Sequence, residues 1–109
     1  MGDAVTDDRS RRAQQRFDVR IPVEVSYQGQ VLSTYTRNIS LGGMFMESVG
    51  NIPFGAVVQL RFSLPEISGP VTVDAHVRWV QGTDGLGVQF VGLRAREVWA
   101  LQKLFSGKP

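Results

Sequence analysis

At 109 residues, with 42% hydrophobic and 20% charged side chains, the chain has the makings of one small domain with a modest core and is too apolar to be disordered. It contains no cysteine, which excludes disulfides, thiolate metal sites and a thiol nucleophile. Its formal net charge is +2, no run approaches membrane-spanning length and the opening "MGDAVTDDRS" has no apolar core of a leader peptide, so a cytoplasmic protein is expected.

Residues 1–10 read as a disordered tail and residues 11–109 as the domain. Arg9, Arg11, Arg12, Arg16 and Arg20 lie within twelve residues against one acid, Asp18, and past Arg20 the chain is nearly neutral. A local basic patch suits a compact anionic partner, since a long polyanion would want a broad basic face.

From Asp18 the residues alternate, with Val19, Ile21, Val23, Val25 and Tyr27 on one face. A period of two predicts a strand with one buried side, and Pro22 marks an edge or a bulge. "QGQ" turns into a Thr-rich strand from Val31 to Ile39, and the short apolar run "GMFMES" follows. After "VGNIPFG", Val58, Leu60, Phe62 and Leu64 alternate again. The longest alternation sets Val71, Val73, Ala75, Val77 and Trp79 against Thr72, Asp74, His76 and Arg78, which makes the Trp79 ring an inward one. "QGTDG" closes a hairpin into Leu86, Val88 and Phe90. Six short strands with frequent turns imply an all-β, antiparallel barrel or sandwich, and small size favours the barrel, which exposes no sheet edge. The tail "RAREVWALQKLF" spaces Val98, Leu101 and Phe105 helically, so an amphipathic helix packs over an end or face of the barrel.

Catalysis finds little support. His76 is the only histidine and falls on the polar face of a strand, with no second metal ligand at a suitable spacing. The acids Asp74, Glu66 and Glu97 are scattered, and "GLG" at Gly85–Gly87 opens no helix, so it reads as hairpin chemistry. No enzyme, metal or cofactor is expected.

Two stretches remain. "RNISLGG", Arg37 to Gly43, joins two strands and reads first as a turn, in which Asn and Ser bond local backbone. It can also be a ligand edge: Asn38 and Ser40 offer uncharged hydrogen bonds to a planar base, and Gly43 allows close approach. "RRAQQR", Arg11 to Arg16, is either a solvated linker or a clamp, because Arg12 and Arg16 lie four apart and guanidinium groups both fork onto phosphate and stack on purines. Together they suit a phosphorylated purine.

In that order the two stretches match RxxxR (Arg12 to Arg16) and [D/N]xSxxG (Asn38 to Gly43). With "GGMFM", "HVRWV" and "GLGVQF" they resemble the PilZ domain family, bacterial receptors for the second messenger cyclic di-GMP. The resemblance covers nearly the whole chain after the tail. It implies a six-stranded antiparallel β-barrel with a C-terminal helix, carrying the nucleotide on its outside. It further implies that Arg12 and Arg16 bind guanine and phosphate, and that Asn38, Ser40 and Gly43 meet a guanine edge. Asn38 stands where Asp would grip both guanine donors with a full charge. Trp79 matches a family position near the ligand, although its alternation points it inward. Arg11, just before RxxxR, implies two intercalated nucleotides per chain, since an apolar residue there goes with one. Some PilZ domains act only as protein adaptors, in motility or pilus machinery, and those generally lack the arginines present here. Either way a single-domain receptor works through another protein. A nucleic-acid-binding barrel is a third reading, weakened because Tyr27, Phe62, Trp79 and Phe90 all fall on faces that read as buried.

Overall fold

Gln28 and Gly29, with φ of 50° and 80°, close a two-residue hairpin between β1 (Pro22–Tyr27) and β2 (Gln30–Ile39). Two successive positive-φ residues match the right-handed twist of the strands they join. The computed structural model describes residues 15–47, 49–82 and 84–106. Arg11, Arg12 and the tail 1–10 lie outside the described residues.

Four further strands follow: β3 (Gly43–Glu47), β4 (Val57–Ser63), β5 (Pro70–Gln81) and β6 (Gly85–Val91). All pairings are antiparallel, and the order β1-β2-β3-β6-β5-β4 closes on itself as a barrel because β4 pairs back to β1. The last described element is the helix α1 (Ala95–Ser106). The expected six-stranded barrel with a C-terminal helix is therefore the observed fold. Pro22 opens β1, where its missing N–H costs least: the ladder to β4 begins only at Glu24.

Alternation builds the core directly. Val23, Val25, Val58, Leu60, Phe62, Val71, Val73, Ala75 and Val77 all point inward and are buried. Ala100, Leu101 and Phe105 of α1 join the same apolar cluster, so the helix caps the barrel with one stripe. Val98 is only half-buried. The first turn of α1 is tied by Glu97, whose carboxylate accepts the Arg94 N–H at 2.9 Å and so satisfies a donor that the helix itself leaves free.

The inward expectation for Trp79 is overturned. Its side chain is 63% exposed. The ladder between β5 and β6 runs Val77↔Val88 and then Trp79↔Gly87, so Arg78 is an extra residue, a β-bulge. One inserted residue moves every later side chain to the other face. Tyr27 and Phe90 are half-buried rather than buried, and only Phe62 is fully enclosed. A second bulge in β2 does the same for Asn38. There Thr36↔Met46 is followed by Asn38↔Phe45, so Arg37 is the extra residue. Thr36 stays inside at 0% exposure, while Asn38 turns outward, paired with Phe45.

The segment before β1 is fastened to β2 at both ends. Thr36 Oγ1 accepts the Ile21 N–H at 3.0 Å and donates to the Val19 carbonyl. Farther up, Phe17 and Ile39 exchange backbone hydrogen bonds of 2.9 and 3.0 Å. Arg16 is thereby held beside the end of β2.

A candidate nucleotide pocket on the outer wall

The two bulges aim at one place. An open cleft of about 590 Å³ lies on the outside of β2, β3, β6 and β5, lined among others by Arg16, Asn38, Ser40, Gly43, Arg78 and Trp79. Among the described residues, no carboxylate lines it. A second cleft has two acids, Glu24 and Glu47, and one base, Arg61, in its wall.

Arg16 is exposed as a residue, yet partial burial of its guanidinium lowers its pKa from arginine's ordinary value. It stays a cation at any physiological pH. No carboxylate pairs with Arg16 among the described residues, whereas Arg20 and Arg61 each have one: Glu47 at 3.4 Å and Glu24 at 3.8 Å. Arg20 also lies 3.9 Å over the Tyr35 ring, so this member of the basic run is committed to the surface of β2.

Ser40 is 3% exposed, and its loop surrounds it. Its Oγ accepts the Gly42 and Gly43 N–H groups at 3.1 and 3.2 Å, while its own N–H donates to the Gly43 carbonyl at 2.8 Å. The serine thus folds the loop that carries the pocket's edge. Gly43 has a packing reason to be glycine, because a Cβ there would run into the Val88 carbonyl oxygen. Asn38 differs. Its Oδ1 is buried without a hydrogen-bond partner among the described residues. A buried acceptor left unmade costs about 1–3 kcal/mol, so this atom is poised for a donor.

The floor of the cleft is aromatic. A Cβ at Gly85 would meet the Phe45 ring at 2.6 Å, and one at Gly87 would lie 3.0 Å from Trp79 Cβ and 3.3 Å from Phe45 Cδ1. Two bare positions on β6 therefore let Phe45 lie across the strand beside Trp79. An exposed indole next to cations is a surface on which a planar base stacks. Of the expected site residues, Arg16, Asn38, Ser40 and Gly43 line this one cleft, and Arg11 and Arg12 lie outside the described residues. Phe45, Arg78 and Gln89 were missed by sequence reasoning, and Trp79 was turned the wrong way. No group of metal-ligating side chains occurs among the described residues. No helix among them is long and apolar enough to cross a membrane.

Comparison with known proteins gives a family and a fold. A family model described as the PilZ domain matches residues 10–107. No curated protein matches the chain. Among solved structures, the PilZ domain of CeSA from a cellulose-synthesizing bacterium is similar with a TM-score of 0.66 and 17% identity, covering 86% of this chain and 97% of that one. The Bacillus subtilis inhibitor of motility (MotI/DgrA) is similar with a TM-score of 0.66 and 18% identity over 86% of this chain. This chain spans about half of that inhibitor, 51%. At such identities the likeness is one of fold.

Proposed function

The chain belongs to the PilZ domain family, matched over residues 10–107, and from that premise we propose that it is a receptor for cyclic di-GMP. PilZ domains are binding and adaptor domains rather than enzymes. In this reading the nucleotide lies on the outer wall, with phosphate and guanine between Arg12 and Arg16 and a guanine edge against Asn38 and the loop of Ser40 and Gly43. Binding changes the conformation of the N-terminal segment, and the changed surface signals to a partner protein. The chain contributes no cofactor chemistry to this.

One observation carries the reading. Arg16 and the [D/N]xSxxG residues, far apart in sequence, line one cleft that, among the described residues, has no carboxylate and contains a buried amide oxygen without a donor. Guanine supplies N1–H and amino donors for such an acceptor, its plane suits the Trp79 indole, and its phosphates suit guanidinium groups. The exposed indole also meets the objection that a base would find no stacking surface here. A nucleic-acid groove would need a continuous basic track, and two of the arginines beyond the cleft are already paired with acids.

Calorimetric titration tests it. Cyclic di-GMP should bind with measurable heat, and cyclic di-AMP, whose base offers no N1–H, should bind far more weakly. Absence of heat with cyclic di-GMP would reject the receptor and favour the adaptor that works without nucleotide.

A further inference from the structure

Arg16 and Arg78 reach the cleft from different strands. Arg16 belongs to the segment bridged to β2 at Ile39, Arg78 belongs to β5, and β2, β3 and β6 lie between. Four strand spacings of roughly 4.8 Å put their anchor points about 19 Å apart along the wall. Arginines anchored that far apart enter the cleft from opposite sides.

Arg78 is also prepared for such a role. It is the extra residue of the β5 bulge, a device that re-aims side chains next to binding sites. Its Nε donates to Gln89 Oε1 at 3.1 Å. The acceptor is an amide, so the bond fixes the guanidinium plane without offsetting its charge. The remaining N–H donors of the fork have no partner among the described residues. Arg20 and Arg61, outside the cleft, face carboxylates instead.

We propose that Arg78, positioned by Gln89, binds a second phosphate of the ligand, on the wall opposite Arg16 and outside both sequence motifs. The inference rests on the cyclic di-GMP reading and adds a residue to that site. A ligand with one anionic group would leave one of the two arginines idle, whereas a cyclic dinucleotide carries two phosphates and engages both.

The test is a titration of cyclic di-GMP into the full chain at low and high salt, with Arg78→Gln, Gln89→Glu and Arg61→Gln as variants. Arg78→Gln should weaken binding about tenfold or more and flatten its salt dependence, because one charge-assisted contact is gone. Gln89→Glu keeps an acceptor for Nε but neutralises the fork, so it too should weaken binding. Arg61→Gln, an exposed arginine outside the cleft, should change nothing. Parent binding with Arg78→Gln unaffected in affinity and salt slope would overturn this inference alone. An affinity loss with the parent's salt slope retained would also overturn it, by making Arg78 a structural residue. A parent that does not bind at all would overturn the receptor reading and this inference with it.

Discussion

The Phe17 ring lies flat on the Phe105 ring, with centroids 4.2 Å apart and planes 8° from parallel. The stack joins the residue next to Arg16 to the last turn of α1. Phe105 is 8% exposed, so Phe105→Ala should cost about 3–5 kcal/mol, a large share of a small domain's stability. Phe105→Leu keeps the burial and removes the ring pair, worth roughly 0.5–1.5 kcal/mol. The leucine variant should fold, as urea denaturation will report, and bind cyclic di-GMP more weakly because Arg16 loses its support. Unchanged affinity in that variant would mean that α1 has no say in the site.

Charge removal addresses the clamp itself. Arg16→Ala and Arg12→Ala each delete charge-assisted bonds of roughly 1.5–3 kcal/mol, about ten- to a hundredfold in affinity. Arg16 is exposed, so its loss should leave the melting temperature of the free protein where it was. A double variant that binds as well as the parent would remove both residues from the site.

Ser40 and Asn38 separate cleanly. Ser40→Ala leaves the Gly43 N–H buried without its acceptor, which should cost about 1–3 kcal/mol of stability. Affinity should fall as well, through a loosened loop. Asn38→Asp places a charge at a half-buried position, so the free protein should melt lower. The same carboxylate accepts both guanine donors, so binding should tighten. Thermal melts with and without nucleotide will show the two effects with opposite sign. A folded Asn38→Asp that binds more weakly would count against a guanine edge there.

Trp79 offers a direct optical report. It is 63% exposed in the cleft, and the other tryptophan, Trp99, is 47% exposed on α1 with Lys103 Nζ 5.9 Å from its ring. In Trp99→Phe the emission should shift or quench on adding cyclic di-GMP, because a base covers the remaining indole. In Trp79→Phe the signal should stay nearly flat. The reverse pattern would move the ligand off this wall.

Much of this was legible from residues alone. Strict alternation in β4 and β5 gave strands and core together, and the helical spacing of Leu101 and Phe105 gave the cap. Both motifs also stood in plain view. What alternation cannot reveal is parity. A single extra residue, Arg37 in β2 or Arg78 in β5, leaves composition and turn signals untouched while reversing every face beyond it. That is why Trp79 read as core. Gly43 was legible as an invitation to close approach, yet the neighbour it accommodates is the Val88 carbonyl, a contact between strands far apart in sequence. Ser40 read first as a turn residue bonding local backbone and second as a ligand edge, and in the fold its loop's own N–H groups occupy its hydroxyl.

Stoichiometry rests on Arg11, next to Arg12 at the head of the clamp. Two stacked cyclic dinucleotides bring four phosphate charges together, and charges that close repel unless further cations sit among them. One molecule leaves Arg11 without a task, and its flat guanidinium is suited to stack on an exposed guanine as well as to pair with phosphate. The expectation is two nucleotides per chain. A second molecule depends on Arg11 more than the first does, so Arg11→Leu should drop the molar ratio toward one while the remaining site keeps most of its affinity. The measurement is calorimetric titration with protein far above the dissociation constant, where the inflection reads the ratio directly. Raising salt should weaken the second step more than the first, because it is the step that concentrates charge. A parent ratio of one would end the two-nucleotide model, and a ratio of two retained in Arg11→Leu would assign the extra cation elsewhere on the wall.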